Sequence, residues 1–403
     1  MLIKGKHIVL GVSGSIAAYK IATLASMLVK KQADVTVIMT PNATHFINPI
    51  TFETLTGNKC LVDTFDRNFK YSVEHVALAK LADVFLVAPA SADVIAKAAC
   101  GIADDMLSTT LLACRCPKVF APAMNTAMYE NPIVQDNIKK LKDYGMEVID
   151  PASGYLACGD VGAGKMPEPE ILFETIIRAL TPKDMAGKKL LVTAGPTQEK
   201  LDPVRYISNH STGKMGYAIA RQAMLRGAQV TLVSGKTDLQ PLAAVRFVPV
   251  VSAADMAQAV KEAAFEQDII IKAAAVADYR PATVAQEKMK KKDGELSIAL
   301  ERTEDILGWL GAHRREGQFL CGFSMETEHL LENSRAKLEK KRIDMIVANN
   351  LRQEGAGFGT DTNVVTILTK DDAVELPLLS KEEVADRLLD CILEKQKESD
   401  DAV

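Results

Sequence analysis

Short apolar runs alternate with stretches of helical periodicity from the start of the chain. His7–Gly11, Asp34–Met39, Val84–Ala88 and Lys118–Ala121 read as strands, and Ile16–Lys31 reads as an amphipathic helix between the first two. Strands separated by helices pair in parallel, because each crossover returns the chain to the same edge, and helices then cover both faces of the sheet. Between Asp150 and Glu170 the alternation dissolves into PASGYLACGDVGAGKMPEPE, a Gly- and Pro-rich stretch. A loop that long inside a compact domain is either functional or disordered. A helix over Glu170–Leu180 follows, and residues 181–188 read as a linker. The alternation then restarts, with strands at Lys189–Thr193, Gln229–Val233 and Asp268–Ile271 and a helix at Met215–Arg226. The pattern predicts an α/β chain of two doubly wound domains, residues 1–180 and 189–403, and a charged end, Glu394–Val403, that frays.

Length agrees with that division, since 403 residues exceed what a single core usually serves. The composition, 48% hydrophobic and 25% charged, is that of an ordinary globular protein. A net charge of -4 gives no general footprint for nucleic acid or an anionic membrane, so small-molecule partners are expected. No apolar run reaches the roughly 20 residues of a membrane span, and the first residues enter a strand instead of a signal-peptide core; the expected location is the cytoplasm. Seven scattered cysteines fit free thiols better than a disulfide framework. Cys114-Arg115-Cys116 lacks the two-residue spacer of zinc and redox pairs, and no histidine sits at ligand spacing, so no cysteine metal site is expected.

The first strand runs into Gly11-Val12-Ser13-Gly14-Ser15-Ile16 and then a helix, where backbone N–H groups and the helix dipole favour an anion. The third glycine of the dinucleotide fingerprint is missing, and the next strand ends in Met39-Thr40-Pro41-Asn42, where an NAD site needs an acid for the ribose. These residues disfavour NAD and fit a monophosphate held around Gly14 by the hydroxyls of Ser13, Ser15 and Thr40. A tight turn with no ligand would carry the same residues. Two later strands also deliver polar groups at their carboxyl ends, where open sheets bind ligands: Ser91 and Asp93 after the third strand, and Pro122-Ala123-Met124-Asn125 after the fourth. Singly, each is equally well an Asx-type turn.

Taken with His75 in Val73-Glu74-His75-Val76 and with Ala157-Cys158-Gly159-Asp160, these segments resemble the flavin-dependent cysteine decarboxylases. One departure is Tyr129, where the family often has Trp. The resemblance implies a flavodoxin-like flavoprotein domain binding FMN through Ser13, Gly14, Ser15, Thr40, Ser91, Asp93 and Ala123. It implies that His75 takes the substrate's thiol proton, that Cys158 donates a proton after decarboxylation, and that Asn125 holds the substrate's carboxylate or amide. These residue types suit the chemistry. Loss of CO2 from a cysteine carboxylate leaves a carbanion without an electron sink, and oxidising the thiol to a thioaldehyde first provides one. An imidazole suits the deprotonation, and an amide offers both donor and acceptor.

The second half carries AGPTQEKLDPVRYISNHSTGKMG, Ala194 to Gly216, between a strand and a helix. It is not a Walker A loop: Met215 follows Lys214, and no glycine stands five residues before Gly213. It resembles the signature of phosphopantothenate–cysteine ligase, so the likeness spans essentially the whole chain and is to the bacterial fused decarboxylase/ligase family. The resemblance implies a Rossmann-like ligase domain in which Arg205 and Asn209 handle phosphopantothenate and Asn209 and Lys288 serve catalysis. CTP is expected at Ala274, Asp278, Lys288, Asp305, Ile306, Phe323, Lys337 and Lys341. Mg2+ or Mn2+ is expected on Asp278 and Asp305, because departing pyrophosphate needs its charge neutralised. Lys290, Lys291 and Lys292 fit a solvated run as well as a ligand loop. Lys272 stands where the family frequently has a small residue, and Asn349-Asn350 where Asn-Asp is usual.

The implied sequence is ligation of 4'-phosphopantothenate to cysteine through an acyl cytidylate, followed by decarboxylation of the product to 4'-phosphopantetheine. The resemblance further implies a homo-oligomer of decarboxylase trimers and ligase dimers, combinable into a dodecamer, with Leu351–Asn363 crossing the dimer boundary. Two other readings compete. One is a flavoprotein that decarboxylates a peptide's terminal cysteine, which the ligase signature disfavours; the other is a non-enzymatic flavin-binding regulatory subunit, which the joint retention of His75, Asn125, Cys158, Asn209 and Lys288 disfavours.

Overall fold

The structure is a computed structural model, described over residues 3–65, 74–155, 159, 161–242, 245–290, 297–326, 330–350, 357 and 359–401. The chain divides into two compact units, Met1–Thr181 and Pro182–Val403.

Five parallel strands build the first unit, in the order Asp34–Met39, His7–Val12, Val84–Ala90, Lys118–Pro122 and Glu147–Val148. Every residue of Val84–Ala90 is buried, as a central strand covered on both faces must be. Alternate residues feed two cores. Ile8, Leu10 and Val12 pack with the helices Tyr19–Lys30 and Pro169–Leu180, while Val9 and Phe85 pack with Ala92–Cys100 and Met106–Ala113. The strand order reverses between His7–Val12 and Val84–Ala90, so their carboxyl ends flank a crevice.

The Gly-rich stretch, which periodicity could not assign, contains a β-hairpin, Ala152–Tyr155 paired antiparallel with Val161–Lys165. Its glycines give no hydrophobic alternation because they serve close approach. Met124 N–H donates to the Gly164 carbonyl at 3.1 Å, and a Cβ on Gly164, whose φ is +133°, would collide with the Met124 carbonyl.

The second unit has an eight-stranded sheet in the order Arg246–Pro249, Gln229–Ser234, Lys189–Ala194, Ile269–Lys272, Phe319–Glu326, Met345–Asn350, Val365–Leu368 and Ala373–Glu375. The first six are parallel and the last two antiparallel. Lys214–Leu225 and Lys381–Asp401 cover one face; Ala253–Ala264, Ile306–His313 and Leu330–Lys341 cover the other. The order reverses between Lys189–Ala194 and Ile269–Lys272. A Cβ on Gly216 would lie 2.6 Å from that of Ala194, so only glycine lets the helix Lys214–Leu225 start this close to the strand.

The boundary between the units falls at Thr181 and Pro182, at the start of the expected linker, whose Met185 is buried in the second unit's core and whose Asp184 pairs with Arg226 at 2.6 Å. The charged end does not fray after Glu394: the helix continues to Asp401, with Lys395 bridging Asp372 and Glu398 at 2.8 and 2.9 Å. Among the described residues the six cysteines are free, no helix is long and apolar enough to cross a membrane, and no cluster of three or more His, Cys, Asp or Glu could hold a metal ion.

Arg226 ties these peripheral pieces down. Its side chain is 6% exposed and reaches Asp184, Asp386 at 3.3 Å and Asp390 at 2.8 Å. Breaking a buried ion pair from one side costs about 3–5 kcal/mol, and here the carboxylates retain some water, so Arg226→Met is expected to cost about 2 kcal/mol. Calorimetry should show the second unit melting earlier with the first unchanged; an unaltered second transition contradicts the clamp.

Candidate active sites

At the first crevice the residue types chosen for a phosphate are also those that cap helices. Ser15, Thr40 and Ser91 are N-caps whose hydroxyls accept from Ala17, Ala43 and Val94 N–H at 3.4, 3.3 and 3.4 Å. Well-formed N–H···O bonds are nearer about 2.9–3.0 Å, so these hydroxyls hold their helices weakly and can turn to a ligand at little cost. Ser13 is different. It is fully buried, donates to the Pro89 carbonyl at 2.7 Å and accepts from Ser91 N–H at 2.9 Å, which staples the first loop to the end of the third strand.

Beside this turn lies a cavity of about 620 Å3, lined by Ser15, Ile16, Tyr19, Ala123, Met124 and Asn125, and by Tyr155, Gly164 and Met166 from the hairpin and its exit. Asn125 caps the short helix Thr126–Tyr129, accepting from Ala127 N–H at 2.8 Å. Lys20 and Glu168, which sequence reading passed over, meet at 2.8 Å on the cavity wall. Ile16 and Tyr19 are apolar yet 57% and 60% exposed. A polar turn at the switch point beside a cavity with both apolar and charged walls fits a ligand that joins a ring to an anionic group.

Ser13, Gly14, Thr40 and Ser91 stand at the switch point without lining the cavity. Asp93 points elsewhere, being 62% exposed and 3.6 Å from Lys97. His75 is half-buried in the helix Glu74–Leu81 and also lies off the lining. Cys158 lies outside the described residues, between the two strands of the hairpin.

The second crevice holds a cavity of about 360 Å3 at the sheet's carboxyl edge. Ser211–Gly216 enter it at the N-terminus of Lys214–Leu225, an end of a helix whose dipole favours an anion. Ala274, Asp278, Asp305, Phe323, Lys337 and Lys341 also line it. Ile306 does not: it is 2% exposed and belongs to the core under the cap that Asp305 forms on Gly308 N–H at 3.0 Å. Asp305 is also paired with Lys341, and Lys337 reaches Ser324 at 3.2 Å. Asn209 shapes the entrance, donating to the Ala275 carbonyl at 2.7 Å and accepting from Ser211 N–H at 3.0 Å. Arg205, Lys288 and Lys290 are not on the lining, and Lys291 and Lys292 lie outside the described residues.

Charge decides what this cavity accepts. Five lysines, 214, 272, 337, 341 and 381, face two acids, Asp278 and Asp305, so a polyanion is favoured. Asn349 adds a buried Oδ1 that has no hydrogen-bond partner among the described residues. Lys272 is a site residue that the resemblance alone set aside as a departure; the legible signal was a charge closing the apolar run Ile269–Ile271 at a carboxyl end. Burial pushes the Lys272 ammonium down to about 8; Asp278 opposes this, and Lys341 and Lys337 add to it.

A lysine near 8 in the folded chain and about 10.4 unfolded costs stability wherever it is charged in both states, and the cost fades as pH rises from the first value to the second. Lys272→Met is therefore expected to raise the second unit's melting temperature at pH 7, with the gap closing toward pH 10. A lower melting temperature at pH 7 contradicts this.

Two open, doubly wound sheets, each with a strand-to-helix turn and a cavity at its switch point, define an α/β protein with two separate candidate ligand sites, the second strongly cationic. The first unit matches the Flavoprotein family over residues 2–181, and the second matches the family described as DNA/pantothenate metabolism flavoprotein C-terminal domain over residues 185–396. The chain is 47% identical over 403 residues to the Coenzyme A biosynthesis bifunctional protein CoaBC of Bacillus subtilis (strain 168), covering 99% of each. It is 42% identical over 402 residues to the protein of that name from Escherichia coli (strain K12), again covering 99% of each. Among solved structures, the C-terminal domain of a CoaBC protein aligns at 48% identity over 53% of this chain and 99% of that one, with a TM-score of 0.46. The FMN-dependent cysteine decarboxylase SpaF aligns at 32% identity over 44% of this chain and 99% of that one, with a TM-score of 0.39. The chain belongs to the family of bifunctional coenzyme A biosynthesis proteins, enzymes with an FMN-dependent decarboxylase half and a ligase half.

Proposed function

We propose that the second unit joins 4'-phosphopantothenate to cysteine at the expense of CTP and that the first unit decarboxylates the product. The observation that supports this reading most is the presence, on one chain, of a lysine-lined cavity at a helix N-terminus and of a second cavity lined by Ser15, Met124, Asn125 and the hairpin residues Tyr155 and Gly164.

In the ligase reaction the carboxylate of 4'-phosphopantothenate attacks the α-phosphorus of CTP and pyrophosphate leaves. The amine of cysteine then attacks the acyl carbon, losing a proton as CMP departs. Lys272, Lys337 and Lys341 neutralise charge along the nucleotide, while the dipole at the N-terminus of Lys214–Leu225 favours the phosphates there. Asn209 holds the Ala274–Ala275 backbone where the base is read. Mg2+ or Mn2+ would be held chiefly by the triphosphate with Asp278 beside it, since Asp305 is committed to Lys341 and to its helix. Lys288 stabilises the developing charge from its own loop. Lys288→Gln is expected to abolish amide formation while decarboxylation of supplied 4'-phosphopantothenoylcysteine continues; loss of both together contradicts independent sites.

In the decarboxylase site Asn125 orients the substrate's carboxylate, His75 removes the thiol proton, and Cys158 returns a proton once CO2 has left. When bound, FMN supplies the missing sink, accepting two electrons from the thiol-bearing carbon before CO2 loss and returning them afterwards, so the reaction is redox-neutral overall.

His75 does not line the cavity of its own chain, and Val76 and Leu81 beside it are 38% and 56% exposed. These positions support an oligomer in which His75 of one copy completes the cavity of another. Co-expressed His75→Asn and Asn125→Asp chains should then regain decarboxylation that neither has alone. Mixed assemblies as inactive as either parent contradict a shared site.

A further inference from the structure

Asp202 lies outside the cavity lining, yet it is held by an unusually complete set of donors. Its side chain is 0% exposed. Its Oδ1 accepts from Val204 and Arg205 N–H, both at 2.8 Å. Its Oδ2 accepts from Arg205 Nε at 2.9 Å, Arg205 Nη2 at 2.6 Å and Met289 N–H at 3.1 Å. The same Nη2 donates to the Met289 carbonyl at 2.6 Å. A further backbone bond, Ala285 N–H to the Leu201 carbonyl at 3.0 Å, runs alongside. Burial opposes ionisation of Asp202, and the donors of Arg205, Val204 and Met289 overcome it, holding the carboxyl well below the usual carboxylate range.

One saturated carboxylate thus fastens together two segments whose contact residues are 87 positions apart. Each segment carries a residue of the proposed ligation: Arg205 itself, and Lys288 next to Met289. Both oxygens of Asp202 are occupied, so it has no lone pair in good geometry left for a substrate. Arg205 does have capacity left. Its Nη1 bonds to no described residue and its side chain is 45% exposed, so the guanidinium is pinned along one edge and offered on the other. Such an edge suits a phosphate or carboxylate oxygen.

We propose that Asp202 is a positioning residue for amide ligation, its carboxylate locking the free edge of Arg205 and the backbone that carries Lys288 into one rigid receiver for the anionic acid substrate. This rests on the ligase reading given above for Arg205 and Lys288.

Asp202→Asn puts an amide donor against the donors of Arg205 and Met289 and opens the lock. In the FMN-loaded full-length protein it is expected to lower kcat/KM for 4'-phosphopantothenate about 100-fold, the scale of an ångström-sized misplacement. CTP affinity by calorimetry and decarboxylation of supplied 4'-phosphopantothenoylcysteine should stay near wild type. Asp202→Asn combined with Arg205→Gln should lose less than the product of the two single effects, because both release the same Met289 bonds. Arg205→Lys keeps the charge pair but cannot span Asp202 and Met289 at once, so it should lower kcat/KM with melting unchanged. Full activity in Arg205→Lys or Asp202→Asn, or multiplicative effects, overturns the proposal. So does an Asp202→Asn protein that loses CTP binding and stability with its ligation, which shows a purely structural role. A wild-type protein that leaves CTP uncleaved strikes the ligase reading instead.

Discussion

A doubly wound parallel sheet cannot cover the carboxyl end of its first strand. The chain leaves that strand toward one side and later returns on the other, so no crossover helix fills the gap between, and the helix N-termini that surround it point unpaired N–H groups inward. Both units are built around such a gap. In the first it opens between His7–Val12 and Val84–Ala90, in the second between Lys189–Ala194 and Ile269–Lys272. The buried strands and the helices packed on both faces fix where the gap lies, and the residues at its rim decide what enters.

Those rims differ in kind. The first is closed by hydroxyl caps with long bonds at Ser15, Thr40 and Ser91 and by the apolar walls of Ile16, Tyr19 and Met124, which suits a planar ring with a phosphate at one end. The second gathers lysines from four elements, on Lys214–Leu225, Ile269–Lys272, Leu330–Lys341 and Lys381–Asp401, against the acids Asp278 and Asp305 among the described lining residues, with Asp361 on Lys214 at 2.7 Å. The repulsion among those cations and their burial are costs borne by the empty fold and relieved by a polyanion, a trade of stability for function that is common at binding sites. Activated acyl chemistry needs that concentration of positive charge, and removal of CO2 from cysteine needs an electron acceptor instead. The two cavities differ in the direction that the proposed division of labour requires.

The strands were legible because central parallel strands are apolar on both faces, and the polar residues at their carboxyl ends marked the two crevices. Other features could not be read along the chain. The hairpin Ala152–Lys165 has glycines where a strand would show alternation, since its register is set by contact with Met124. The terminal helix past Glu394 looked like a solvated tail, because its support comes from Asp372 and Lys188, far away in sequence. Ser13 has the right type and place for a phosphate ligand, but its hydroxyl is engaged by Pro89 and Ser91. Asp202 passed unnoticed within the ligase signature because its meaning lies in Met289, which only folding brings to it. Contacts between distant segments, rather than residue type, separate the groups that hold the site from those that meet a ligand.

The proposed function requires one chain to hold both a cytidylyl-transfer site and a flavin-assisted decarboxylation site. Its most direct test is the stoichiometry of products when the FMN-loaded protein receives CTP, 4'-phosphopantothenate and cysteine. One CMP, one pyrophosphate and one CO2 should appear for each 4'-phosphopantetheine formed. Release of CDP and phosphate in place of CMP and pyrophosphate, or CO2 evolved with CTP intact, would contradict it.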